Sequence, residues 1–511
     1  MPHAFIHRFK PVITAIFGVI AVLAMTNFSP SQAETLRVPV SSDIGTLDPD
    51  NGFEVAGLSA LNNLYEGLVE YEPGSIKIVG LLATNWDVSD DGLIYTFHIR
   101  DGVTFHDGTS LDADAVVKSV ERRRTGKLVQ NYTLANVASV KATNLRTVEF
   151  QLKAPQTYFL DTLASPWGPK VISPKAVSQH DADDAATGWL TDHAAGTGPF
   201  KLGEFKRGER YTLERNDAYW GEKPYFDKIE LPVVPDVGQQ ILQLKAGEID
   251  AVATNYPFAQ LDNIPDSLTI TSQPSMTQFA ALLKPGSSLD DPAIRTAVLT
   301  AINPNLWVSD AFGAYGSVSL SVYPNAMMSP VHPISFPTDM AAAKATISRS
   351  PTNLRIGLYS SNPSYGRIAD FLIVQLAAIG IKATASIMPP GAAFNMKGSA
   401  SAPDMLLIIA SPDAAHPEHQ VQAFYATNAP LNLYGRSLAE ADSIVAVASV
   451  MTDVKERNKL YEDAGRKYFD AGFAIPLVDV EDVVVHSKGL KSLGLRPVFP
   501  RGCIDFATVT R

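Results

Sequence analysis

The 511-residue sequence contains a single cysteine, Cys503. No intramolecular disulfide can form, so the fold must stand on apolar cores even in an oxidising compartment. With no base near it in sequence, the lone thiol reads as a packed, inert side chain. An excess of positive charge is also missing: 42 Lys and Arg against 53 Asp and Glu leave −11, a surface that repels phosphate backbones and anionic lipid heads. Nucleic acid is therefore not expected as a partner. No low-complexity linker interrupts the chain, because its 35 prolines and 34 glycines are scattered. Phosphate-loop, zinc and nucleophile-elbow spacings (G-x-x-x-x-G-K, H-E-x-x-H, G-x-S-x-G) are absent. Gly196-Thr197-Gly198 looks like half of a dinucleotide loop, but Pro199 removes an amide donor, and the phrase reads as a turn. Neither a cofactor nor a metal is expected.

What is present is core material. Hydrophobic residues make up 46% and charged residues 19%, the balance of a globular chain and not a disordered one. The length suits about two to four domains of roughly 100–200 residues. Arg8 and Lys10, the apolar run Val12 to Met25 and the close in Ser31-Gln32-Ala33 have the layout of a cleavable secretory signal, residues 1–33. That run is shorter than the ~20 residues that span hydrocarbon. No cysteine stands just after the expected signal, so a lipoprotein is not expected; in a double-membrane bacterium the protein would be free in the periplasm.

Strands are expected at Leu36–Val40, Tyr95–Arg100 with Tyr95, Phe97 and Ile99 on one face, and around Val148, Phe150 and Leu152. A helix over Asp112–Arg124 has Asp112 and Asp114 at its start. Together these make residues 74–186 a compact α+β insertion. Strands at 210–214 and 228–234 precede a helix at Val237–Ala246, which Gly247 stops, and a short strand at 249–253. Helices follow at 292–302 and 339–348. The strand Leu354–Leu358, the helix Tyr365–Ile379 with its stripe Tyr365, Ile368, Leu372, Leu376 and Ile379, and the strand 381–387 form a β-α-β unit with parallel strands. Met405–Ala410, apolar throughout, is expected to be buried on both faces. The helix Asp453–Ala471 points Leu460, Tyr461, Ala464, Tyr468 and Phe469 inward, and two separate strands, Ala474–Val478 and Asp482–His486, complete the pattern.

Two groups of residues are candidates for chemistry. His416-Pro417-Glu418-His419 offers two imidazoles and a carboxylate to a metal, but Pro417 and the lack of a third ligand favour a solvated loop or helix start. His98 and His106 are expected to satisfy local hydrogen bonds. Phe53, Trp167 and Tyr359 lie in Gly-, Ser- and Asn-rich segments, where large rings line a ligand cleft or cap a core.

The stretch ATNWDVSDDGLIYTFHIRDGVTFHDGTSLDADAVVKSVERR, Ala83 to Arg123, closely resembles the signature of the family 5 solute-binding proteins of ABC importers, which include the oligopeptide-, dipeptide- and nickel-binding proteins. GTGPFKLGEFKRGERYTLERNDAYWGEKPYFDKIEL, Gly196 to Leu231, and QQILQLKAGEIDAV, Gln239 to Val252, resemble the family's central block and the helix-strand after it. Similarity persists more thinly through DPAIRTAVLTAINPN, Asp291 to Asn305, and the β-α-β unit.

The resemblance implies an α/β, periplasmic-binding-protein-like fold of two hinged lobes, with an additional α+β domain inserted in the first. The first lobe would take residues 34–72, 187–283 and 479–511, the insertion 73–186 and the second lobe 284–478. In peptide-binding relatives the strand matching Met405–Ala410 leads into a W-x-x-D-Y-x-D-P segment whose first Asp holds the ligand's α-ammonium. Here the segment is IIASPDAAHPEHQ, so Asp413 matches that Asp. Capping the helix near Glu418 is the structural alternative for Asp413. Ala410 stands where relatives often place Trp, and His416 replaces the second Asp, so a stacking wall and one negative charge of the peptide pattern are missing. Ser411, Tyr359, Ser361, Phe53 and Trp167 lie in segments similar to cleft-facing segments of relatives.

The resulting expectation is a periplasmic, monomeric, non-enzymatic protein that captures a small solute, a short peptide first, and delivers it to an inner-membrane permease and ATPase complex. An opine, a sugar derivative or a metal chelate is the alternative ligand. A secreted hydrolase is the alternative from another class, and a chemoreceptor partner or peptide-holding chaperone a third reading.

Overall fold

The computed structural model describes residues 34–253, 256–389, 391–498, 500 and 502–511; the expected signal, 1–33, lies outside the described residues. The strand Thr35–Arg37 pairs in parallel with Lys228–Pro232, which continues antiparallel to Arg210–Arg215 and then Phe200–Lys206. Leu36, Phe200, Leu213, Ile229 and Leu231 bury one apolar core, and Leu493, Ile504, Phe506 and Val509 from the far end of the chain complete it. The helix Val237–Ala246 stops where Gly247 turns to φ +76°, a conformation a side chain with a Cβ resists.

The expected α+β insertion contains an antiparallel sheet in the order Ala83–Val88, Ile94–Ile99, Thr147–Leu152, Val137–Asn144. Alternation works as expected: Tyr95, Phe97, Ile99, Val148, Phe150 and Leu152 are buried. Phe97 and Phe150 meet edge to face, with ring centres 5.5 Å apart. The helix Ala113–Thr125 begins at Asp112, whose carboxylate accepts from the Ala115 N–H at 2.8 Å.

A larger sheet runs Ala251–Val252, Ala474–Ser487, Leu268–Leu283, Met405–Ala410, Asn353–Leu358, Lys382–Ile387. Asn353–Leu358 is parallel to both Lys382–Ile387 and Met405–Ala410, as the β-α-β reading requires. The intervening helix, Pro363–Ala377, buries Ile368, Leu372 and Leu376. Gly380, at φ +91°, turns the chain back into the sheet. Tyr461, Ala464 and Tyr468 are buried on the helix Val454–Asp470, with Leu460 and Phe469 partly so.

Two local expectations differ from the structure. The strand expected at 249–253 is confined to Ala251–Val252. The two strands expected at 474–478 and 482–486 are one continuous strand, Ala474–Ser487. Asp479, between the two expected strands, is only 6% exposed and accepts from Gln278 Nε2 at 3.0 Å, the Ser319 hydroxyl and the Asn325 N–H, so its carboxylate is satisfied inside the sheet. This strand pairs along Leu268–Leu283, with register shifts between Gln273 and Thr277 and between Phe279 and Ala280. Thr277–Leu283, expected with the first lobe, lies against Met405–Ala410 through Gln278–Leu283 and against Ala474–Val480 on its other side.

The insertion is fixed to the loop after the first strand by buried ions. Arg122 grips Asp48 with two bonds of 2.9 and 2.7 Å and also reaches Asp50. Arg123, fully buried, donates from Nε to Asp50 at 2.6 Å, from Nη2 to the Pro49 carbonyl at 2.9 Å and from Nη1 to the Trp167 carbonyl at 2.8 Å. Cys503 is buried as expected, and burial pushes its thiol up to about 12. Among the described residues no helix is long and apolar enough to cross a membrane.

Replacing Arg123→Met strands a carboxylate and two carbonyls, and is expected to lower stability by about 3–5 kcal/mol in urea unfolding. Glu66 supplies a pH-dependent counterpart. It is 3% exposed, and burial raises its carboxyl to about 7 despite bonds from Thr197, Trp220 and Tyr219. The native state thus holds a proton that the unfolded chain releases near 4.5, so Glu66 makes stability fall as pH rises from about 4.5 to 7. Glu66→Gln is expected to gain on the wild type by about 3 kcal/mol across that window, read from urea midpoints at each pH.

Candidate functional site

The segment leaving Met405–Ala410 carries Ser411, Pro412 and Asp413 into a cleft where the first sheet, the insertion and the larger sheet meet. Two cavities lie along it. One, of about 440 Å³, is lined by Ser41, Ser42, Glu54, Trp167, Asn362 and Ser411 among mostly apolar neighbours. The other, of about 300 Å³, is lined by Tyr132, Gln156, Trp167, Asp413, His419 and Gln422. Trp167 forms a wall of both. Its indole stacks on Phe53 with ring centres 5.7 Å apart, and its Nε1 donates to the Phe53 carbonyl at 3.3 Å.

The structure thus brings together Ser411, Asp413 and Trp167, with Phe53 behind the indole. Tyr359 and Ser361 are exposed and line neither cavity, although Asn362 beside them lines the first. Among the described residues neither cavity is lined by Lys or Arg, and Glu54 and Asp413 are their carboxylates. Arg501 lies outside the described residues.

Asp413 caps no helix. The helix Pro417–Phe424 is capped by His416, whose Nδ1 accepts from the Glu418 N–H at 3.2 Å. The Asp413 carboxylate instead accepts from the Tyr132 hydroxyl at 3.2 Å, and its backbone carbonyl accepts from the Ser165 hydroxyl at 2.6 Å. Burial holds its carboxyl above the usual range, and the Tyr132 bond opposes that shift. A cation placed against it would relieve the burial of its charge.

The His416–His419 stretch is a helix start, as one reading had it, but it is not solvated. His416 is 5% exposed, packed on Tyr158 and Tyr461 with ring centres 5.7 and 5.5 Å away, and its Nε2 has no hydrogen-bond partner among the described residues. His419 Nε2 meets the Thr162 hydroxyl at 3.2 Å. Burial lowers both imidazoles, His419 to about 4, so they are neutral at ordinary pH. The apolar and aromatic residues of both neighbouring elements close over them, which sequence spacing does not reveal. Among the described residues no group of three His, Cys, Asp or Glu is placed to hold a metal. His98 meets Asp87, across the neighbouring strand, at 3.1 Å, whereas His106, expected to bond locally, reaches the Gly198 carbonyl 92 positions away at 3.0 Å.

Sequence reasoning missed Tyr132, Ser165, Asn362 and Glu54. Tyr132 is 281 positions from Asp413 and sits in an ordinary polar stretch, so no local signal marks it.

Residues 77–431 match the family profile described as bacterial extracellular solute-binding proteins, family 5, middle. The glutathione-binding protein GsiB of Salmonella paratyphi A is 28% identical over 487 residues, covering 92% of this chain and 94% of that protein. Among solved structures, the periplasmic binding protein DppA of Helicobacter pylori in complex with the peptide STSA has a TM-score of 0.77 at 23% identity, covering 93% of this chain and 98% of that one. NikZ of Campylobacter jejuni in complex with Ni(L-His) has a TM-score of 0.80 at 20% identity, with 94% and 100% covered.

Ser165 both donates to the Asp413 carbonyl and accepts from the Trp167 N–H, the latter at 3.1 Å. Ser165→Ala therefore unties both cleft residues at once, with an expected loss of about 1–3 kcal/mol in urea unfolding.

Proposed function

We propose that this chain, which belongs to the bacterial extracellular solute-binding proteins of family 5, encloses a short peptide in the cleft and delivers it intact to an inner-membrane permease and ATPase complex. The observation that carries the reading is Asp413: a carboxylate in the cleft that caps no helix, in a lining with no Lys or Arg among the described residues. Such a group suits a free α-ammonium through charge-assisted hydrogen bonds. Ser411 and Trp167, the latter backed by Phe53, form the remainder of the ligand surface, with Tyr359 and Ser361 at its rim beside Asn362.

The glutathione-binding relative supports a peptide over an opine, a sugar derivative or a metal chelate, since glutathione is itself a tripeptide. Residues 34–72, 187–283 and 479–511 act as one lobe bearing the insertion 73–186, and residues 284–478 as the other. Ligand contacts across the cleft favour closure by their differential affinity for the closed form. The protein works as a periplasmic monomer, exported by residues 1–33, and it makes and breaks no bond.

The ligand is first identified by native mass spectrometry of what copurifies, then titrated calorimetrically. Asp413→Ala is expected to weaken an unblocked peptide by roughly a hundredfold or more, as for a buried ion left without its partner. An N-acetylated version of the same peptide should bind the wild type as poorly. Unchanged affinity in the variant overturns the anchor, and recovery of the peptide cleaved overturns the transport reading.

A further inference from the structure

The two cleft cavities differ in character although one indole walls both. The smaller holds Asp413 among hydroxyls and amides, those of Tyr132, Thr133, Asn136, Gln156 and Gln422. The larger, about 440 Å³, has an apolar floor: Val38, Val40, Leu231, Met276, Val498 and Phe506 line it, and all are buried. Ser59 and Thr277 are the buried polar residues among them, and the Ser59 hydroxyl already accepts from the Ile504 N–H at 3.0 Å. The rest of the polar lining is partly or fully exposed, with Ser42 and Glu54 the most open.

The main chain behind this floor is spent as well. The Val38 and Val40 N–H groups donate to the Glu230 and Pro232 carbonyls at 2.9 Å, and the Met276 N–H donates to the Pro497 carbonyl at 3.2 Å. Water entering the floor finds few partners there, whereas an apolar side chain gains by leaving solvent.

The floor lies one step of chain from the carboxylate. Ser411 and Pro412 line the larger cavity, and Asp413, the next residue of the same segment, lines the smaller. An extended chain advances about 3.3–3.6 Å per residue. A peptide whose ammonium meets Asp413 therefore carries its second side chain to the apolar floor.

We infer that the larger cavity is a side-chain pocket that selects a large apolar residue, of the size of leucine or methionine, at the second position of the peptide. The inference rests on the proposed reading, in which a peptide's amino end lies on Asp413, and adds the chemistry of the residue that follows. Alanine at that position leaves most of the cavity unfilled. Asparagine, close to leucine in shape, buries an amide where the Ser59 hydroxyl and the main chain are already engaged. The Trp167 indole, backed by Phe53, gives the side chain a flat wall to pack on.

The test is calorimetric titration of the protein with Ala-Leu-Ala, Ala-Asn-Ala, Ala-Ala-Ala and Leu-Ala-Ala at neutral pH. Ala-Leu-Ala is expected to bind about tenfold or more tighter than each of the other three. Ala56, partly exposed at the start of the helix Val55–Leu64, lines the same cavity, and Ala56→Leu fills it. In that variant the gap between Ala-Leu-Ala and Ala-Asn-Ala should shrink to about threefold or less. Equal binding of those two peptides by the unaltered protein, tightest binding of Leu-Ala-Ala, or an undiminished gap in Ala56→Leu overturns the pocket and leaves the peptide reading standing. Binding of none of the four at millimolar concentration overturns that reading and the pocket with it. The comparison of peptides on the unaltered protein decides the matter even where Ala56→Leu folds poorly.

Discussion

The buried ion cluster of Arg122 and Arg123 with Asp48 and Asp50 is the contact on which the cleft geometry depends. Taking four charges out of water is costly, and apolar packing of equal volume would be as stable or more so. Hydrocarbon side chains would not, however, fix directions. The planar forks of the two arginines address two carboxylates and three backbone carbonyls, those of Pro49, Trp167 and Ala185, at 2.8–2.9 Å. One end of the cluster positions the loop that leads to Phe53, and the other positions Trp167, so the stacked pair is held from both sides. The insertion is thereby part of the site and not an ornament on the first sheet.

The same insertion, with Tyr71 just before it, reaches the segment after Met405–Ala410 at several points. Tyr71 accepts from the Ala415 N–H at 3.0 Å and donates to Asp161 of the insertion at 2.9 Å. Ser165, Thr162 and Tyr132 meet the carbonyl of Asp413, His419 and the carboxylate of Asp413 in turn. Each bond is individually modest, and each can be exchanged for water when the surfaces part. On the proposed reading, a solute that bridges the same surfaces would add to these hydroxyl contacts and favour closure.

The parts of this architecture that were legible in the sequence are those set by neighbours along the chain. Tyr95, Phe97 and Ile99 alternate, Asp112 caps, Gly247 and Gly380 stop helices, and Ile368, Leu372 and Leu376 form a stripe; each works as read. The resemblance to a family contributed the two-lobed arrangement and the interest in Asp413, neither of which periodicity supplies. Long-range polar contacts were not legible. Ala474–Ser487 reads as two strands along the chain, and what keeps Asp479 inside a single one, its bonds from Gln278, Ser319 and Asn325, comes from at least 154 positions away. His416 was placed in solvent for a similar reason, since the rings of Tyr158 and Tyr461 that cover it come from distant segments.

The first sheet's core joins Leu36 and Leu61 to Leu493, Ile504, Phe506 and Val509, so strands that are synthesised early stay half-covered until the last residues arrive. Contacts separated by most of the chain make nucleation slow. The core of the insertion, drawn mostly from residues 68–171, can close early, whereas the core of the first sheet is completed only when the last residues are in place.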